Sequence, residues 1–125
     1  MDDDLYQEHI LDHYKNPRRK YIQKNPTFSK TENNPLCGDE IQIDLTIKRN
    51  RIIDISFSGH GCAIRQASAS ILTEELQNKP LSKITNISEQ KMIDMLHIPI
   101  SHTRTKCALL ALRTVKSIQL TTPKS

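Results

Sequence analysis

Two stretches of strict alternation constrain this chain more than anything else in it. Ile41, Ile43, Leu45 and Ile47 alternate with Gln42, Asp44, Thr46 and Lys48; Ile53, Ile55 and Phe57 alternate with Asp54, Ser56 and Ser58. A period of two puts the apolar side chains of each stretch on one face of an extended strand. Residues 49–51 (Arg-Asn-Arg) are all that separates them. The pair therefore returns on itself as an antiparallel hairpin, half buried, that needs helices to cover its apolar face.

The helices are legible on either side. Leu5, Tyr6, His9, Ile10 and Tyr14 fall at helical spacing, and Asn16-Pro17 stops that pattern. Residues 16–36 are polar, hold Pro17, Pro26 and Pro35, and read as loop with one short strand near Thr27–Lys30. After the hairpin, Ile64, Ala67, Ile71, Leu72 and Leu76 recur at helical spacing through Asn78, with Ser68, Ala69 and Ser70 small enough for close packing. Ser88 is placed to cap a helix over Glu89–Leu96, although Lys91 stands where a capping box has Glu or Gln; Pro99 is expected to end it. A last helix over Lys106–Leu120 would bury Leu110, Ala111, Val115 and Ile118. Helix, hairpin, then helices define an α+β fold with a small antiparallel sheet.

At 125 residues the chain reads as a single domain, 1–125, able to bury roughly two thirds of its unfolded surface. No apolar run approaches the ~18 residues of a membrane span, and the acidic Met1-Asp-Asp-Asp start is unlike a signal or transit peptide. A cytoplasmic protein without membrane contact is expected. Three cysteines cannot all pair, so free thiols or metal ligands are expected rather than a disulfide scaffold. The net charge of +4 is uneven: beyond Asp94 there is no acid, while Arg104, Lys106, Arg113, Lys116 and Lys124 are basic. That quarter suits an anionic partner or an ordinary solvated face. With aromatics at 4% and no Trp, a base-stacking surface is disfavoured.

The glycines point to the chemistry. There are three, Gly38, Gly59 and Gly61, each within three residues of a cysteine. Gly38 separates Cys37 from Asp39, and Gly59-His60-Gly61 leads into Cys62. Glycine serves where backbone needs positive φ or close approach, so shaped loops surround these thiols, or the glycines simply serve turns at the hairpin's open end. The hairpin brings residues before Ile41 next to residues after Ser58, so Cys37 and Cys62 meet at one end of the sheet. Cys62 precedes one helix and Cys107 opens another; the positive end of a helix dipole favours a thiolate, as do the cations Arg65, Arg104 and Lys106. Free cysteines often only pack in cores, but three placed at element boundaries beside glycine or a base suit thiolate chemistry or metal ligation. Asp39 shares a tight turn with Cys37 and could supply an oxygen ligand, a weaker donor for a soft metal. His60, His102 and His97 are alternative fourth ligands, His60 foremost, whereas His9 and His13 read as core or surface histidines.

Asn34-Pro-Leu-Cys-Gly-Asp39, Gly59-His-Gly-Cys-Ala-Ile64, Ala67-Ser-Ala-Ser70 with Thr73-Glu74, and Arg104-Thr-Lys-Cys-Ala108 together resemble the NifU/IscU/SufU family of iron–sulfur cluster assembly scaffolds. Asp12-His-Tyr-Lys-Asn-Pro-Arg18 resembles the end of that family's first helix. The resemblance covers residues 5–118. It implies that Cys37, Asp39, Cys62 and Cys107 ligate a transient iron–sulfur cluster, [2Fe–2S] by expectation, or zinc (Zn2+). It also implies that a cysteine desulfurase delivers persulfide sulfur to a cysteine, with apo iron–sulfur proteins as acceptors. Cys107 is the expected sulfur acceptor and Cys37 its rival. The family's role is that of a scaffold rather than a self-contained enzyme, with a zinc-dependent sulfurtransferase relay as its SufU variant.

The chain departs from the family pattern in three places. Lys106 precedes Cys107 where IscU-type members have His, and Ile100-Ser-His-Thr-Arg104 replaces the LPPVK motif read by a dedicated chaperone, so that partner is not expected. Residues 63–106 are too few for the insertion of SufU-type members, which the motifs otherwise match better. Arg65 stands where the family usually has Ser, adding a cation near the thiols. The competing class is a small zinc-stabilised binding module, for nucleic acid given a pI near 9.1, but the cysteine spacing is unlike paired C-x2-C fingers.

Overall fold

A computed structural model describes residues 2–34, 39–97, 100–101 and 104–121. The order of elements is α1 (Asp2–Lys15), β1 (Phe28–Asn34), β2 (Asp39–Lys48), β3 (Arg51–His60), α2 (Ala63–Leu76), α3 (Ser82–Asn86), α4 (Glu89–Met95) and α5 (Thr105–Thr121). The expected hairpin is β2–β3, closed by Arg49 and Asn50 with φ of 54° and 61°. Two consecutive left-handed residues give the hairpin turn the same twist as the strands it joins. The third strand is longer than the Thr27–Lys30 segment expected. It runs to Asn34, opposite Asp39, and makes β2 the centre of a three-stranded antiparallel sheet.

One face of the sheet carries Ile41, Ile43, Leu45, Ile55 and Phe57, all within 1% of full burial, and α2 and α5 lie against the sheet. The other face explains why the polar segment before β1 is not free loop. Gln23 donates from its backbone to Asp44 Oδ2 at 3.1 Å and from its side chain to the Asp44 carbonyl and Ser56 Oγ. Ser29 and Gln42 donate to Asp44 Oδ1, so this buried carboxylate is satisfied by three donors. Arg19 and Lys20 lie along the free edge of β3 at Phe57, and residues 78–80 pair with it at Arg51 and Ile52. An otherwise open strand edge is thereby covered.

Central to the helical layer is α2, buried from Ile64 through Thr73, between the sheet, α1 and α5. Its Ala67-Ser68-Ala69-Ser70 run lets neighbours approach, and Ser68 and Thr73 return their hydroxyls to carbonyls one turn back. Ser88 caps α4 by accepting from Lys91 N, as expected. Pro99, expected to end α4, lies outside the described residues. The helix already stops at Met95, and His97 adopts the left-handed conformation, φ 62°. The single-turn α3 was not legible in the sequence. On α5, Ala111, Val115 and Ile118 are buried as expected, but Leu110 is half-buried and Leu109 and Leu112 take the core positions.

Candidate site at the thiol end of the sheet

Strand register brings the site together. Glu40 pairs with His60 and Ile41 with Gly59, so the start of β2, at Asp39, lies beside the end of β3. Gly59 has φ 118°, and a Cβ there would sit 2.2 Å from the Glu40 carbonyl oxygen. Only glycine lets the two strands close at this point. Two residues past β3, Cys62 is the N-cap of α2 with extended backbone (φ −68°, ψ 168°), exposed, with no hydrogen bond from its side chain to the cap. The sulfur thus occupies the place where Ser or Asp normally satisfies the first N–H groups of a helix. Cys107 lies in the first turn of α5, half-buried, rather than at its first residue.

The helix starts are linked by a residue whose sequence position gave no sign of it. Arg65, in the first turn of α2, is 2% exposed and donates from Nη2 to Cys107 Sγ at 3.1 Å. Adjacency in sequence pairs Arg65 with Cys62, whereas the packing of α2 on α5 sends it across to Cys107. Arg104 and Lys106, the other cations expected at Cys107, are exposed to water. Cys37 and His102 lie outside the described residues.

His60 is exposed at the end of β3. His97 belongs elsewhere: its ring stacks on His9 at 4.5 Å, and His9 meets His13 edge-on at 5.1 Å. Among the described histidines His13 is the buried one, with Nδ1 2.8 Å from Ser70 Oγ, two turns along α2 from Cys62. Burial, with Arg18 and His9 nearby, holds His13 below the ordinary imidazole pKa, against the opposing pull of Glu74 and Asp12. His9 and His13 therefore play the packing roles expected of them, and His97 joins them rather than the thiols.

Residues 5–119 match the NifU-like N terminal domain family. The chain belongs to that family. Among NifU-like relatives, the zinc-dependent sulfurtransferase SufU of Bacillus subtilis is 38% identical over 70% of this chain, and the match spans 58% of that protein. The scaffold protein IscU of Buchnera aphidicola subsp. Baizongia pistaciae is 32% identical over 90% of both chains. The crystal structure of a SufU from Fervidobacterium islandicum superposes with a TM-score of 0.74 at 27% identity, covering 88% of this chain and 93% of that one. The α+β architecture is thus the NifU-like one. Among the described residues, no helix is long and apolar enough to cross a membrane.

Proposed function

We propose that this chain accepts persulfide sulfur from a cysteine desulfurase during iron–sulfur cluster assembly, at the thiol end of the sheet. The observation that carries this is the convergence, in a NifU-like chain, of two cysteines at two helix starts with the Asp39 end of β2. The chemistry asks only for an accessible sulfur nucleophile. Cys107 Sγ attacks the outer sulfur of the donor's persulfide, and the donor cysteine leaves as thiolate. Its place in the first turn of α5 sets it at the positive end of that helix, and the Arg65 guanidinium donates to the attacking sulfur.

Cys37, Asp39, Cys62 and Cys107 are the residues we assign to a metal, and Cys62 fits the task. Its sulfur is exposed and not engaged in capping, while thiolates with one carboxylate suit zinc or iron. Bound zinc would hold its ligand thiols deprotonated and tie the β2, α2 and α5 starts together. A [2Fe–2S] cluster built on the same side chains would be cargo, passed on to apo acceptor proteins. Relay and scaffold differ in what natively purified protein contains: bound zinc supports the relay, labile iron with acid-labile sulfide the scaffold. The acceptor function itself is tested by intact mass after incubation with a cysteine desulfurase and cysteine. Increments of one sulfur atom, mapped to a cysteine, are expected; an unchanged mass would sink it.

A further inference from the structure

We propose that Arg65 is the anion-receiving group of the thiol end and directs persulfide sulfur to Cys107 rather than Cys62, an inference that rests on the acceptor function above. Arg65 is almost fully buried, and its Nη2 reaches Cys107 Sγ at 3.1 Å across the α2–α5 contact. A guanidinium stays charged at every working pH and offers five donors in a fixed fork. At half-buried Cys107 its field is little screened by water, whereas Cys62 is exposed at the N-cap. The same buried cation therefore acts more strongly on Cys107.

The matching ligand is a sulfur anion. In the transfer, an S–S bond forms between Cys107 Sγ and the donor's outer sulfur as the donor's own S–S bond breaks. The bonding pair leaves on the donor cysteine, which takes up the proton from the Cys107 thiol, so no oxidant or reductant is needed. The product bears its charge on the terminal sulfur, about 2 Å beyond Sγ.

The test loads wild type, Arg65→Gln and Arg65→Lys with a cysteine desulfurase and cysteine and maps the sulfur by peptide. Sulfur is expected on Cys107 in wild type. Arg65→Gln is expected to load Cys107 about tenfold more slowly, the scale of one charge-assisted hydrogen bond, with sulfur moving to Cys62 or Cys37. Arg65→Lys should recover most of that loss, which a merely space-filling role would not predict. A second readout needs no variant: the ratio of alkylation by iodoacetate to that by iodoacetamide at each cysteine, in which the thiolate fraction cancels. It is expected to be about tenfold higher at Cys107 than at Cys62, because a fixed cation attracts the anionic reagent. Equal loading of Cys107 by wild type and Arg65→Gln, or equal ratios at the two cysteines, overturns the proposal. Sulfur on no wild-type cysteine is instead the failure of the acceptor function, and the alkylation ratio tells the two failures apart.

Discussion

Gly59 and His13 show how much single residues decide here. At Gly59 the φ of 118° and the 2.2 Å that would separate an added Cβ from the Glu40 carbonyl oxygen leave no room for a side chain. Gly59→Ala is expected to cost about 3 kcal/mol or more in urea unfolding, through backbone strain and the parting of β2 from β3. The loss should reach the site, since Cys62 follows three residues later. At His13 the folded state favours the neutral ring, so the unfolded chain binds more protons below the ordinary imidazole pKa of about 6.5. Its contribution to stability is complete above that value and is lost as pH falls below it. Denaturant titrations from pH 7.5 to pH 5 should show this decline, and His13→Asn, which keeps a polar atom for Ser70, should flatten it.

Among the elements, the β2–β3 hairpin and α4 each hang on a local feature. The turn asks two side-chain-bearing residues, Arg49 and Asn50, to be left-handed. Replacing the pair by Asn-Gly, the preferred residues for this turn, is expected to stabilise the protein by about 1 kcal/mol without altering the register. The helix α4 is short and depends on its cap, in which Ser88 Oγ accepts from Lys91 N at 3.0 Å. Ser88→Ala should destabilise by about 1 kcal/mol. Its ion pair to α5, Glu89 with Arg113 at 2.9 Å, is half exposed at both ends, so its removal should change the melt little.

For the whole molecule, the thiol end is where the sheet and two helices converge, and a metal bound there would tie distant parts of the chain. A strong chelator is expected to lower the melting temperature of metal-loaded protein and added zinc to restore it. An unchanged melt after verified metal loss would exclude that stabilisation. Alanine at Cys37, Cys62 or Cys107 should weaken metal binding itself. Asp39→Ala should still bind but release metal or cluster to an acceptor at a changed rate, because carboxylate is the weaker donor. Paired measurements of metal content and transfer rate in the four variants check this.

The alternations at 41–45 and 55–57 and the helical period of Ile64, Ala67, Ile71, Leu72 and Leu76 determined the hairpin, most of its inner face and α2 as a helix. These are local patterns, since period alone places side chains on a face. Contrary to the alternation, Ile53 is exposed and Ile52 buried, where the register shifts beside Thr46 and Ile47, and α2 is buried all round from Ile64 to Thr73. The glycines beside the cysteines also located the thiol end, because the hairpin's connectivity brings its two open ends together. Tertiary structure alone decided the rest. The polar segment before β1 looked like loop because its bonds go to Asp44, Ser56 and the edge of β3, all distant in sequence. His97 looked like a ligand, but its ring stacks on His9 of α1, distant in sequence. Arg65 looked like the neighbour of Cys62, yet side-chain reach across two packed helices gives its hydrogen bond to Cys107. Periodicity fixes which face a residue occupies; only the packing of one element on another fixes which distant group that face meets.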